Sequence, residues 1–316
     1  MSDVAQATHA RPSFLLAHSP WDAVPVLAAL AHFAAVVALV LAFPVLPWWA
    51  FIALALAYAV SISWNINGIA HNQIHNPYFR SDALNRAFNM LLSLTLGFTQ
   101  TEYHYVHLRH HAGNSDRPGP EGETIDPLSI YRCGDHGEPE NVWAYTFLSY
   151  FRDAPTKDFS SMTGRRRLDA LWSRAEMAAV VLFYGLLAVH DWRAVLCLTP
   201  FYYLGHSLSS LNGWYEHFGG NPDVPIAWGV STYNRFYNWL WFNNGCHAEH
   251  HYRPKQHWTR MKELHLQIAD AQKAAGVKVI TTCHALGFLE RSHPPHVWRK
   301  LAAHMLGRRA APAGGA

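Results

Sequence analysis

Two five-residue stretches, His107-Leu108-Arg109-His110-His111 and His247-Ala248-Glu249-His250-His251, repeat one arrangement of three imidazoles. Spacings of three and four fall on one face of a helix. A third stretch, His71-Asn72-Gln73-Ile74-His75, puts two more imidazoles on a face at i and i+4. Imidazole suits iron, zinc and copper alike, so these are eight candidate metal ligands. The chain carries 22 histidines in 316 residues. At that density chance gives roughly one or two HxxxH matches but only about 0.1 of an HxxHH match per chain. Two HxxHH boxes are therefore not an accident of composition.

Ligand number narrows the metal. Eight histidines exceed what one tetrahedral zinc can take, whereas two irons with positions left open for dioxygen would use them. A zinc protease would carry HExxH or HxxEH, and neither is present. Glu216 and Glu249 each precede a histidine and are read either as acceptors that orient imidazoles or as solvated side chains. His104, three residues before His107, is read as an interfacial residue rather than a spare ligand. His257, His284, His293 and His296 have no paired spacing and are expected to be solvated.

Half of the residues are hydrophobic, yet the mean hydropathy is −0.07. Long apolar segments must therefore alternate with polar ones, as in a membrane protein with a sizeable water-facing part. A formal net charge of +3 without a basic patch interleaved with aromatics argues against a nucleic-acid partner. Cys133, Cys197, Cys246 and Cys283 are too far apart for a CxxC motif, and the first twenty residues lack the order of a signal peptide. A reducing, cytoplasm-facing site fits this pattern.

The elements that must position the boxes are legible as apolar runs. Residues 1–24 read as an N-terminal tail, and 25–309 as a single membrane domain with spans at about 25–43, 48–66, 175–190 and 194–211. The turn Pro44-Val45-Leu46-Pro47 joins the first two, and His190-Asp191-Trp192-Arg193 joins the last two. The first box continues directly from the second span. Ala87–Phe98 is too short to cross and reads as an interfacial or re-entrant helix leading into the second box. Glycines and prolines between His111 and Asn141 indicate a loop. Lys255–Lys273 reads as an amphipathic helix packed on the metal domain, and 310–316 as a disordered tail. The basic loop Arg152–Arg174 is cytoplasmic by the positive-inside rule, which places both termini and all three boxes on that side. His32 and His206 are the imidazoles inside spans, and His206 could bond across the bundle to a serine. The fold class expected is an all-α polytopic bundle of two hairpins with a helical cytoplasmic cap carrying the boxes.

With the boxes HxxxH, HxxHH and HxxHH in place, the chain resembles the membrane fatty acid desaturase superfamily, which also includes alkane and related monooxygenases. The resemblance runs from about Ala59 to Pro254. It implies that His71, His75, His107, His110, His111, His247, His250 and His251 hold two non-haem irons at the cytoplasmic face. His217, just past the fourth span, is implied as a ninth ligand. The segment Tyr215-Glu216-His217-Phe218-Gly219 is similar to the alkane-hydroxylating branch, while the spacing of the second box is closer to the acyl desaturases.

The activity this implies is oxygen-dependent oxidation of an unactivated C–H bond of a lipid or fatty acyl chain, with acyl desaturation placed first. Hydroxylation of a fatty acyl, alkyl or terpenoid chain is the alternative, and a membrane metal carrier or sensor is a distant one. With no GxGxxG turn, CxxC cluster or haem-binding appendage, electrons would come from a separate ferredoxin-, rubredoxin- or cytochrome-type protein on the cytoplasmic face. The basic loop is either its dock or ordinary positive-inside topology.

Overall fold

A computed structural model describes residues 14–112, 124, 126–152 and 167–290. His293, His296, the 310–316 tail and most of the Arg152–Arg174 loop lie outside the described residues. Ser19 and Asp22 form a reciprocal capping box around the turn Pro20–Asp22, which starts helix α1, Ala23–Ala42. Every side chain of α1 except His32 is apolar, and the helix ends where Pro44 enters the turn Phe43–Val45. Helix α2, Trp48–Trp64, then runs back after Pro47. Leu27, Leu54 and Trp49 stay 64%, 48% and 76% exposed on these two helices. Such apolar outer faces suit lipid rather than water.

His32 ties the pair together. The Ser61 hydroxyl donates to Tyr58 O at 2.8 Å, so at 2.9 Å it accepts from His32 Nε2, and Asn65 Nδ2 donates to His32 Nδ1 at 3.0 Å. This imidazole is therefore a bonded cross-brace between the two apolar helices.

Helix α2 widens into a π turn, Asn65–Ala70, which leads into α3, His71–His75. Helix α4, Asp82–Leu96, starts at the Ser81 cap and ends on Gly97 at φ 75°, and α5, Gln100–His110, follows at once. The N-terminus of α5 is held from outside. Thr101 donates from its backbone N and its hydroxyl to the fully buried Glu176 carboxylate at 2.9 and 2.8 Å, and Gln100 N donates to Ser93 Oγ at 2.9 Å. Helix α6, Val142–Arg152, presents Phe147, Leu148 and Phe151 outward.

The third and fourth spans expected from the sequence lie within one helical run, α7, Arg167–His217, which breaks at Asp191 with φ −152° and ψ 97°. There the Asp191 carboxylate accepts from Arg193 N and Ala194 N, at 3.0 and 3.4 Å, and caps the second half. Tyr184 and Tyr202 sit on either side of the break, and their rings are 6.5 Å apart. A straight helix would separate them by about 27 Å, so the chain folds back on itself at Asp191. Gly205 lets α7 approach α2 closely, because a Cβ there would sit 2.7 Å from Ala59 O.

Among the described residues three helical stretches, Pro20–Val45, Trp48–His75 and Arg167–His217, are long and apolar enough to cross a membrane. His206 bonds to Leu96 O at 3.2 Å rather than to the serine expected, because the end of α4 leaves that carbonyl within reach. Beyond α7 come the short helices α8, Arg235–Leu240, and α9, His247–Tyr252, then α10, Met261–Ala274. A parallel two-residue pair, β1 Ser231–Thr232 with β2 Val279–Ile280, is the one sheet among the described residues.

Candidate metal centre

The first box owes its orientation to the π turn. His71 N donates to Ile66 O, the i+5 bond of the π turn, and side chains add bonds to Asn67 O and Gly68 O. His71 Nδ1 donates to Asn67 O at 3.2 Å, and Asn72 Nδ2 donates to Gly68 O at 2.7 Å. With Nδ1 engaged, Nε2 of His71 faces the centre, 2.9 Å from Nε2 of His250.

The second box ends α5. His107 Nε2 lies 2.9 Å from His75 Nε2 and 3.0 Å from His111 Nε2. His110 turns the other way, its Nδ1 donating to Asp126 Oδ2 at 2.7 Å. Asp126 is fully buried, and its other oxygen accepts from Leu128 N at 2.8 Å. The third box, α9, is anchored through Glu249, whose carboxylate accepts from Ser231 Oγ, Tyr233 OH and His265 Nδ1 at 2.6, 2.8 and 2.7 Å. The anchor leaves His247, His250 and His251 on the opposite side. His217, the last residue of α7, places Nε2 3.1 Å from His247 Nε2.

All nine candidate histidines converge, in two groups. His71, His75, His107, His111 and His250 form one, and His110, His217, His247 and His251 the other, with potential ligand atoms within 4.8 Å of one another in each. Burial and neighbouring imidazoles hold His107, His111, His247, His250 and His251 well below the usual imidazole pKa. They are neutral near pH 7, the state that ligates a metal. Both ring nitrogens of His251 are buried without a hydrogen-bond partner. Such a pair of unpartnered nitrogens is free to take a further partner, and the all-imidazole donor set fits a transition-metal ion.

Behind the groups lies a buried polar network that spacing alone does not reveal. Asn212 and Asn244 both donate to Glu216 Oε1, at 2.8 and 2.6 Å, and that oxygen is 3.7 Å from His247 Nδ1. Asn244 Oδ1 in turn lies 3.3 Å from His71 Nδ1. Glu216 and Glu249 are thus buried acceptors rather than solvated side chains; Glu249 accepts from His265, outside the nine, and Glu216 stands near His247 without a hydrogen bond to it. His284 corrects its expectation. It is fully buried, with Nε2 donating to Val230 O at 2.9 Å, and burial lowers its pKa to about 4. His257 is also engaged rather than solvated, bonding to the buried Asp22 at 2.9 Å. Neither has a histidine partner in sequence, so the spacing criterion passed over both. Trp228 was missed for the same reason. Its ring centroid is 4.4 Å from that of His251 and 5.8 Å from that of His110, and its indole is 1% exposed. His104 joins neither group.

A cavity of about 670 Å³ reaches the centre, bordered by His71, His107, His110, His217 and His247. Phe98, Met177, Tyr202 and His206 line it further into the helical bundle. That size is in the range of cavities that take small-molecule or lipid ligands.

No curated protein shows a significant match to the chain. A family model described as fatty acid desaturase matches residues 46–282, which takes in all nine histidines of the two groups. The apolar helices and the paired histidine groups agree with that match. The chain belongs to the fatty acid desaturase family, whose members are membrane oxidoreductases acting on fatty acyl chains.

Proposed function

We propose that the protein oxidises an unactivated C–H bond of a fatty acyl or related lipid chain, using dioxygen and two histidine-bound irons, with desaturation as the outcome. The observation that carries this reading is the division of nine histidines, seven of them buried, into a five-member and a four-member group beside a cavity of about 670 Å³. His71, His75, His107, His111 and His250 would hold one iron, and His110, His217, His247 and His251 the other. When bound, such a pair supplies the oxidising power to break a C–H bond that no side chain can attack.

The chain's own residues do the rest. Asn67 O, Asn244 and Asp126 orient imidazoles, Glu249 sets the third box, and the apolar wall around Phe98 and Met177 excludes water and aligns a chain. Four spans in two hairpins, folding back at Pro44–Pro47 and at Asp191, would bring both termini and the centre to the cytoplasmic side. A separate one-electron carrier would dock there.

Hydroxylation is the second reading, favoured by the Tyr215-Glu216-His217-Phe218-Gly219 segment. Mass spectrometry of lipids from cells expressing the chain separates the two. Loss of two hydrogens supports desaturation, gain of one oxygen supports hydroxylation, and an unchanged lipid profile in iron-replete cells would overturn both.

A further inference from the structure

The two histidine groups differ in what stands behind their imidazoles. In the four-member group His110 Nδ1 donates to Asp126 at 2.7 Å, with side chains 4% and 0% exposed, and Glu216 lies 3.7 Å from His247 Nδ1. In the five-member group the oxygens at His71 Nδ1 are neutral, Asn67 O and the Asn244 amide at 3.2 and 3.3 Å. Among the described residues no carboxylate is paired with an imidazole of that group. The asymmetry is fixed in place. Asp126 also accepts from Leu128 N, and Glu216 is held by Asn212 and Asn244.

A carboxylate behind a ligating imidazole makes it a stronger donor and adds negative charge near the ion, which favours the more highly charged oxidation state. Five neutral imidazoles without that charge favour the lower one. We propose that the two groups are electronically unequal metal sites, and that Asp126 and Glu216 are the positioning residues that make them so, by placing a carboxylate hydrogen bond at His110 and a carboxyl group 3.7 Å from His247 behind the four-imidazole group alone. This rests on the two-iron reading above. The ion held by His110, His217, His247 and His251 is then the last to be reduced and the more sensitive to loss of Asp126 or Glu216. Asn244 spans the two sites, with its carbonyl oxygen at His71 and its amide nitrogen at Glu216.

The test uses the full chain in detergent, loaded with isotopically enriched iron and reduced stepwise with dithionite, each electron converting one ferric ion to ferrous. The wild type is expected to reduce in two separate one-electron steps, with Mössbauer spectra after the first electron showing one resolved iron site ferrous and the other still ferric, rather than both sites half reduced. Asp126→Asn and Glu216→Gln are expected to bring the two steps together. In chelator competition each variant is also expected to hold one of its two irons about 10- to 100-fold more weakly. Glu216→Gln keeps an acceptor for both asparagine amides, so it decides the matter if Asp126→Asn does not fold. Wild-type irons that reduce together, or variants with the wild-type separation, overturn the proposal. A wild-type protein holding fewer than two irons before any titration sinks the two-iron reading itself, and elemental analysis shows that separately.

Discussion

The rings of His111 and His251 stack with centroids 4.3 Å apart and planes 21° from parallel, yet the two residues belong to different histidine groups. The same division runs through both HxxHH boxes. Adjacent residues on a helix point about 100° apart, so a histidine pair cannot serve one ion. His107 and His111 go to the five-member group while His110 goes to the other, and His247 and His251 go to the four-member group while His250 goes to the first. The doubled histidine thus lets one short helix contribute to two sites.

Replacing His250 by Ala is expected to weaken the five-member site, and replacing His110 the four-member site. Either should abolish turnover while leaving the helical spans inserted, since they are stabilised by lipid and helix packing. Elemental analysis of membrane-extracted protein checks this. A variant with full iron and full activity would remove that residue from the site.

His217 closes α7 and meets His247 at 3.1 Å. His217→Ala should lose most of one iron and nearly all activity, whereas His104→Ala, outside both groups, should lose neither. Iron stoichiometry equal to wild type in the His217 variant would return that imidazole to a packing role.

His284 is a fully buried imidazole whose Nε2 satisfies Val230 O. Truncation to Ala leaves a void and an unpaired carbonyl, at a cost on the order of 3 kcal/mol. A lower melting temperature in detergent is the expected readout, and His284→Gln, which can still donate, should recover part of it. An unchanged melting temperature in the alanine variant would show that the segment carrying His284 contributes nothing to stability.

Gly205→Leu tests the contact of α7 with α2. Even a Cβ would lie 2.7 Å from Ala59 O, so the larger side chain must push the helices apart, costing about 1–3 kcal/mol. Thermal unfolding measures the loss, and Gly185→Leu, with nothing within 4 Å of its Cβ position, should leave the melting temperature in place.

Much of this molecule could be read from residue spacing, because helix periodicity and metal ligation obey the same geometry. The boxes and the apolar runs announce themselves over a few residues. What escaped was long-range. Asp126 sits in a proline-flanked loop with no histidine near it in sequence, and only the fold brings it to His110. His284 and His257 looked solvated because isolated polar residues usually are. Their partners, Val230 O and Asp22, lie 54 and 235 residues away. Trp228 read as one of 13 tryptophans, with no local signal to set it beside His251.

The π turn at Asn65–Ala70 means that the first box is out of phase with the span that carries it. Deleting one residue there would restore regular α hydrogen bonding and yield a sounder helix by every local criterion. It would also rotate His71 and His75 by about 100° relative to α2 and withdraw two imidazoles from the five-member group. The span and the box therefore keep separate helical registers, and the irregular turn between them is the clutch that lets lipid-facing residues and metal-facing residues each take the angle they need.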